Sequence, residues 1–308
     1  MSRPEEQQAT PKIGTSAPRL IAARLSSFWH HIPPPRPRSM SVFEIPVFSA
    51  AAAKAAVDNG ATRLEINRAG SYVDGGLTPT LAEVKEVIDA LGKSSVPLRV
   101  MVRPRGPPAD SADFVYSDAE FQQMQADLQA FVASGLLSPE RGDGFVFGIL
   151  EKAETLQIDR QRNRQLVQAA GGYACVLHRA FDLVVDPAAP GETLGVAREI
   201  GFAGVLTAGG PSAQGAVGHV STLQNLASAA LSVPSSKGAI EIIVGGSVRS
   251  KNLQALADGI LGTSAPLQRV AFHSSCLADS AAAVRDGAAG EAVDGTEVGR
   301  IQEIITSL

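Results

Sequence analysis

The chain has 308 residues, of which 44% are hydrophobic and 19% charged, and its net charge at pH 7 is −4. This composition is typical of a folded protein rather than a disordered one, and the acidic balance argues against a nucleic-acid partner. No apolar run reaches the ~18 residues of a transmembrane helix, so no membrane partner is predicted. Cys175 and Cys276 are too far apart in sequence for a CxxC motif, and two cysteines do not make a disulfide framework.

The first 39 residues differ in composition from the rest of the chain. After Glu5 and Glu6 no acidic residue occurs before Glu44, while arginine, serine, alanine and proline accumulate. An acid-poor leader with arginines is typical of a mitochondrial transit peptide, whereas the proline-rich end of the segment is typical of a disordered extension. We therefore expect a disordered or targeting extension over 1–39 and a folded domain over 40–308.

Eight short apolar or β-branched segments alternate with helical patterns in the folded part. The predicted strands cover 42–48, 63–67, 98–103, 144–150, 174–179, 204–208, 240–244 and 270–274. Such alternation indicates parallel βα units, and eight units in about 250 residues are typical of a TIM barrel. The first turn has no GxGxxG motif, which argues against an open doubly wound sheet. The predicted fold class is therefore α/β, a single-domain (β/α)8 barrel.

Capping residues mark several of the predicted helix starts. Ser49 precedes an alanine-rich helix, and Ser117 forms a capping box with Glu120. Thr78 and Pro79 predict another helix start, with proline at the first helical position.

Charged or titratable side chains interrupt four of the predicted core strands. They are Glu44, Glu65, Arg103 and His178, and they alternate with apolar neighbours. A buried charge needs a partner or a function. One alternative is an ion-pair network that holds the barrel together. The other is an active site at the carboxyl ends of the strands, where TIM-barrel sites lie.

The loops that follow the strands carry residues suited to an anionic ligand. Arg105 follows Arg103 closely, and a guanidinium matches a phosphate or carboxylate in geometry. Small residues after the last three strands let backbone N–H groups approach a ligand, and barrels often bind phosphate after strands seven and eight. The predicted ligand-binding residues are Arg103, Arg105, Thr207, Gly209, Gly245, Gly246, His273 and Ser274.

His178 is the side chain best suited to proton transfer near neutral pH. Glu65 or Asp182 would orient it or act beside it, and Glu44 completes the predicted catalytic set. This pattern favours an enzyme or binding protein for a small metabolite that carries phosphate or carboxylate.

Several stretches of the sequence resemble the CutC family of copper-homeostasis proteins. In chain order they include G-G-L-T-P at 75–79, M-V-R-P-R-G at 101–106, H-R-A-F-D at 178–182 and L-T-A-G-G at 206–210. The resemblance implies a TIM barrel in the cytoplasm, a homo-oligomer, and a role in copper binding or tolerance. It also implies copper ligation by cysteines on the first two strands.

The chain departs from the family at those two cysteine positions, where it has Pro46 and Asn67. Cu(I) prefers thiolate and thioether ligands, which neither proline nor an amide supplies. The resemblance thus implies copper as cofactor, but the sequence assigns no metal ligand. A small molecule or a metal ion is the predicted partner.

Overall fold

Eight parallel strands form a closed barrel in the computed structural model of the protein. The structure describes residues 41–232, 238–262, 269–278 and 291–308, so the predicted extension over 1–39 lies outside the described residues. The barrel strands are β1 (Phe43–Val47), β2 (Arg63–Ile66), β3 (Leu98–Met101), β4 (Gly144–Phe147), β7 (Ala174–Leu177), β8 (Gly204–Thr207), β9 (Glu241–Val244) and β10 (Val270–His273). Each of the eight coincides with a predicted strand, and the (β/α)8 prediction is confirmed.

The strands follow one another around the barrel in chain order, and β10 closes it against β1. All barrel pairings are parallel. The register places Glu44 of β1 beside Arg63 of β2 on one side and His273 of β10 on the other. Three titratable residues from three strands therefore lie at neighbouring positions of the barrel wall.

Helices follow the barrel strands and cover their outer face. They are α1 (Ala50–Asp58), α2 (Leu81–Leu91), α3 (Asp118–Ala133), α4 (Arg160–Ala169), α5 (Pro190–Ile200), α6 (Val220–Ser232), α7 (Ser250–Leu261) and α8 (Gly295–Ser307). No helix in the described ranges is both long and apolar enough to cross a membrane.

The helix caps agree with the sequence at two sites and differ at a third. The Ser49 side chain caps α1, and Ser117 and Glu120 form the predicted capping box of α3. The predicted start of α2 at Thr78 and Pro79 is wrong, because Thr80 caps this helix. The hydroxyl of Thr78 instead donates a hydrogen bond to the carbonyl oxygen of Arg103 and accepts one from its N–H. These bonds hold Thr78 against the chain that follows β3.

A two-stranded antiparallel hairpin, β5 (Leu150–Lys152) and β6 (Leu156–Ile158), lies between β4 and α4. It was not predicted, because Ile149 and Leu150 extend the apolar pattern of β4 past Gly148, and the whole stretch was predicted as one strand over 144–150.

Alternate residues of the strands face two separate apolar layers. The inner layer fills the barrel and consists of Met101, Val146, Val176, Leu206, Ile243 and Ala271. The outer layer packs the strands against the helices and contains residues such as Ile45, Leu64 and Leu177. Each buried side chain of this size contributes about 1.5–3 kcal/mol to stability. Polar residues on the inner side of the wall therefore face the barrel axis or its mouth.

Candidate functional site

A cavity of about 510 Å³ opens at the carboxyl ends of the barrel strands, a volume suited to a small metabolite. Seven predicted site residues line it: Glu65, Arg103, His178, Asp182, Gly246, His273 and Ser274. The predicted residues Glu44, Arg105, Thr207, Gly209 and Gly245 do not line it. The structure thus brings most of the predicted site together and assigns other contacts to the remainder.

Glu44 lies inside the barrel in a buried ion-pair network. Its Oε2 accepts a hydrogen bond from Arg63 Nε at 2.5 Å, and its Oε1 lies 2.8 Å from His273 Nδ1. Arg63 also contacts Glu241 at 2.9 Å. Burial raises the pKa of Glu44, but the charges of Arg63 and His273 outweigh it and lower that pKa to about 2. The ion-pair alternative from the sequence therefore holds for Glu44, which is charged and fully partnered.

His273 extends this network to the cavity wall. Burial lowers the pKa of His273, but the hydrogen bond to Glu44 and the charge of Glu65 outweigh it and raise that pKa. A protonated ring donates from Nδ1 to the Glu44 carboxylate. The network thus favours a positive charge at the cavity.

Glu65 is a buried carboxyl with one unpartnered oxygen. Glu65 is 4% exposed, and Asn67 Nδ2 donates a hydrogen bond to Glu65 Oε1 at 3.1 Å. Its Oε2 has no hydrogen-bond partner among the residues that the structure describes. Burial raises the pKa of Glu65, although the charge of His273 opposes this. Glu65 therefore offers the cavity a carboxyl group that binds its proton more tightly than an exposed glutamate does.

His178 presents a neutral ring to the cavity. Its Nδ1 accepts a hydrogen bond from the N–H of Ala180 at 3.2 Å, which puts the ring proton on Nε2. That Nε2 has no partner within the described ranges, and the residue is 3% exposed. Burial and the charge of Arg103 lower the pKa of His178 to about 3. Such a ring accepts protons poorly, so the geometry favours a hydrogen-bond donor over the predicted acid or base.

Asp182 was predicted as a partner of His178 but is bound elsewhere. It accepts hydrogen bonds from Thr207 Oγ1 at 2.5 Å, from the N–H of Ala208 at 3.0 Å and from Arg179 Nε at 2.6 Å. Asp182 and Thr207 therefore connect the turn after β7 to the end of β8.

Two glycines of the predicted set support this end of the barrel from behind the cavity. The N–H of Gly209 donates to Thr207 Oγ1 at 2.8 Å, and the N–H of Gly245 donates to the Thr207 carbonyl oxygen at 2.9 Å. A Cβ added at Gly245 would lie 2.8 Å from Leu206, so glycine is needed there for close packing.

The two arginines predicted to bind an anion have partners within the protein. Arg103 donates to Asp113 at 2.9 Å and to the carbonyl oxygen of Asp74, and its Nε is the guanidinium nitrogen without a partner in the described chain. Arg105 donates to Glu120 at 2.5 Å. Both guanidiniums therefore link loops to one another, and Arg105 does so away from the cavity.

Arg249 lines the cavity and was missed by sequence reasoning. Its guanidinium donates to the hydroxyls of Ser274 and Ser275 at 3.1 and 3.0 Å. Within the described residues it forms no ion pair with a carboxylate. The sequence does contain a feature that indicates Arg249 as a site residue. It follows Gly245 and Gly246 closely, in the loop after the seventh barrel strand, where barrels often bind phosphate.

The cavity does not supply the thiolates that a Cu(I) site needs. Neither Cys175 nor Cys276 lines it, and burial raises their pKa values to about 12 and 11. Pro46 and Asn67, at the family's cysteine positions, do line it. Met101 supplies one thioether, and a single soft ligand does not make a Cu(I) site.

Glu44, Glu65 and His273 offer ligand atoms that lie within 4.8 Å of one another. Both oxygens of Glu44 are occupied, one by Arg63 and the other by His273. A cation there would compete with the buried guanidinium of Arg63, and oxygen ligands do not suit Cu(I). The residues present therefore do not fit the implied copper site.

Both thiols are expected to resist a disulfide reagent at pH 8 in the native protein. Thiolate is the reactive form, and pKa values this high leave a fraction on the order of 10⁻³ or less. Release of the aromatic thiolate from DTNB, followed by absorbance, should report two thiols in denaturant and fewer than one over an hour without it. Equal rates in both conditions would contradict the buried, protonated state.

Comparison with known proteins agrees with the fold and the motifs. A model of the CutC family matches residues 41–265. The copper homeostasis protein cutC homolog of Mus musculus is 34% identical over 218 residues, which are 71% of this chain and 70% of the relative. That of Homo sapiens is 33% identical over 218 residues, 71% of this chain and 69% of the relative.

Two solved structures share the barrel fold, and one of them is a CutC protein. The CutC protein of Streptococcus agalactiae is 26% identical, with a TM-score of 0.61 over 76% of this chain and 98% of that one. The 3-dehydroquinate dehydratase of Geobacillus kaustophilus, 16% identical with a TM-score of 0.50 over 87% of this chain and 92% of that one, shares the fold alone. Because the family model matches most of the chain, this protein belongs to the CutC family.

Proposed function

We propose that this chain contributes to copper homeostasis, the role named for its mouse and human relatives, by binding a small phosphate- or carboxylate-bearing molecule in the barrel mouth. One observation carries this proposal. Four residues that line the cavity each have a buried polar atom without a hydrogen-bond partner in the described chain. These atoms are Glu65 Oε2, Asn67 Oδ1, Arg103 Nε and His178 Nε2. Each unsatisfied buried group costs about 1–3 kcal/mol, which a bound ligand would recover.

Arg249 supports the anionic character of this ligand. Its guanidinium contacts two serine hydroxyls and lies in the loop where barrels often bind phosphate. Ser274 and Gly246 line the same side of the cavity. A phosphate or carboxylate there would accept hydrogen bonds from the guanidinium and from the hydroxyls.

Replacing Arg249 with alanine is expected to weaken binding of a phosphorylated sugar by about 10- to 100-fold, since a hydrogen bond to a charged group contributes about 1.5–3 kcal/mol. A thermal-shift screen of sugar phosphates and small carboxylic acids, followed by calorimetry, measures this. Arg160→Ala, which removes an exposed arginine paired with Glu199, is the matched control and should bind like the wild type. No stabilisation of the wild-type protein by any anion in the screen would overturn the proposal.

Copper enters this proposal indirectly, because altered use of a metabolite changes metal tolerance without a bound metal. Purified protein under reducing conditions should take up no more Cu(I) than a control protein of similar cysteine content, as measured by metal analysis. Stoichiometric Cu(I) that survives dialysis would instead favour direct copper binding, the role that the family resemblance implied.

The likeness to CutC proteins supports three further parts of the proposal. The chain would act in the cytoplasm, as a homo-oligomer, with one barrel domain over 40–308 preceded by an extension over 1–39. Light scattering after size exclusion measures the oligomer. A fluorescent fusion of the full chain, compared with one that lacks 1–39, distinguishes the cytoplasm from a mitochondrial destination.

A further inference from the structure

We propose that the cavity acts on a hydroxy-carbonyl compound with a terminal phosphate or carboxylate, and that Glu65 transfers the proton on the carbon beside the carbonyl group while His178 holds the carbonyl oxygen. This inference rests on the proposed function and adds a substrate class and a reaction to it. It is carried by two buried, unpartnered atoms of opposite hydrogen-bonding character in the wall of one cavity.

His178 is suited to bind an oxygen that becomes negative. The Ala180 N–H fixes the tautomer, so Nε2 carries the proton and has no acceptor in the described chain. The ring of Phe114 packs against the imidazole, with 4.5 Å between centroids, and restricts its orientation. A preoriented donor stabilises an enolate oxygen more than the neutral carbonyl from which it forms. The positive charge of Arg103 nearby acts in the same direction.

Glu65 is suited to take up a proton and return it. Asn67 Nδ2 holds Oε1, so the unpartnered Oε2 has a defined position. Burial raises the pKa of this carboxyl, and a general base is most effective when its pKa approaches the working pH. Strand β2 carries Glu65 and strand β7 ends at His178, with β3 and β4 between them in the barrel. Both residues line the same cavity, which is the placement that the proposed reaction requires.

The proton transfer balances without another reactant. The Glu65 carboxylate removes a proton from the carbon beside the carbonyl group, the C–H electron pair forms a C=C bond, and the carbonyl π electrons move to oxygen. That oxygen accepts a hydrogen bond from His178 Nε2. Return of the proton to the same carbon restores the substrate. Return to the former carbonyl carbon, with the hydroxyl proton moving to the former carbonyl oxygen, gives the isomer.

The remaining wall residues match the rest of such a ligand. Asn67 Oδ1 is a buried acceptor without a partner in the described ranges, so it suits a ligand hydroxyl. Arg249 and Ser274 suit the terminal anion. The wall thus offers an acceptor for a hydroxyl, a donor for a carbonyl oxygen and a cation for an anion.

The test uses the full-length protein in D₂O with dihydroxyacetone phosphate, ribulose 5-phosphate and hydroxypyruvate as separate probes. Thermal shift reports binding, and proton NMR reports deuterium at the carbon beside the carbonyl group. We expect at least one probe both to stabilise the protein and to exchange that proton; the two phosphates and the carboxylate distinguish the anions. Stabilisation without exchange overturns this inference and leaves the proposed function standing. Neither effect with any of the three probes overturns this inference, and the proposed function falls with it only if no anion of the wider screen stabilises the protein.

Glu65→Gln keeps the shape of the side chain and removes its ability to accept a proton. We expect exchange to fall by about 10²- to 10⁴-fold, the usual contribution of a general base, while the thermal shift persists. Glu86→Gln makes the same chemical change at an exposed position of α2 and should exchange like the wild type, whereas a contaminating isomerase would give equal exchange in wild type, Glu65→Gln and Glu86→Gln. Glu65→Asp, which keeps the charge and retracts it, should show intermediate exchange if Glu65→Gln does not fold. Wild-type exchange in a folded Glu65 variant would overturn the proposal.

Discussion

Replacing Arg63 with methionine is expected to lower the free energy of unfolding by about 3–5 kcal/mol, the usual cost of removing one partner of a buried ion pair. Methionine keeps much of the aliphatic stem but removes the guanidinium that contacts Glu44 and Glu241. Glu44 is 1% exposed, so its charge would stay inside the barrel with His273 as its remaining contact. Urea denaturation at pH 7, followed by circular dichroism, measures the change.

Two further variants distinguish loss of the ion pair from loss of packing. Adding Glu44→Gln to Arg63→Met should recover part of the stability, because the uncompensated charge is then gone. Lys54→Met removes an ion pair with Asp58 on the solvent-facing side of α1 and should cost less than about 1 kcal/mol. If Arg63→Met were no more costly than Lys54→Met, Glu44 would not need a buried counter-ion.

The fold was predictable because each barrel strand is short, apolar and separated from the next by a helix with its own signals. The errors in predicted secondary structure lie where contacts between residues distant in sequence determine where an element begins or ends. Thr78 bonds to the backbone of Arg103, so α2 starts at the later cap, Thr80. The β5–β6 hairpin begins three residues after the end of β4, and Ile149 and Leu150 extend the apolar pattern past Gly148, so the sequence reads as one longer strand.

The site was predictable in part for a similar reason. Parallel strands bring their carboxyl ends to one face, so Glu65, His178 and His273 met at one cavity as expected. Their partners depend on strand register and on loop conformation, which period-two alternation does not encode. Arg105 was therefore predicted to bind a ligand, whereas its guanidinium binds Glu120 on α3. Arg249, in the loop after the seventh barrel strand, lines the cavity and forms no ion pair with a carboxylate among the described residues.

Hydrogen-bond partners distinguish a buried charge that is bound within the barrel wall from one that is left available to a ligand. Glu44 and Glu65 are both buried glutamates on neighbouring strands, and sequence alone does not distinguish them. Both Glu44 oxygens are bonded, and two cations hold its pKa low. One Glu65 oxygen is unpartnered in the described chain, and burial holds its pKa high. The first arrangement stabilises the barrel, and the second leaves a group available to a ligand.

Acidification from pH 6.5 to 4.5 is expected to destabilise the wild-type protein by about 2–3 kcal/mol relative to His178→Asn. Burial and the charge of Arg103 lower the pKa of His178 from 6.5 to about 3. Between these two pH values the imidazole is protonated in the unfolded chain but stays neutral in the native protein. Stability from this group is complete above pH 6.5 and is lost as pH falls toward 3, at about 1.4 kcal/mol per unit. Asparagine does not titrate and can accept the Ala180 N–H in place of Nδ1.

Comparing the two proteins isolates His178 from the other buried groups. The raised pKa of His273 acts in the opposite sense, because its contribution is complete below the unfolded pKa and is lost as pH rises. The lowered pKa of Glu44 matters below pH 4.5, outside this window. Both contributions are present in wild type and variant, so they cancel in the difference between their urea-derived free energies. His219→Asn, which removes an imidazole bonded to the Pro211 carbonyl, is the matched control. Parallel pH profiles for wild type and His178→Asn would mean that His178 takes up its proton at the same pH in the native barrel as in the unfolded chain, and the lowered pKa of its ring would then be contradicted.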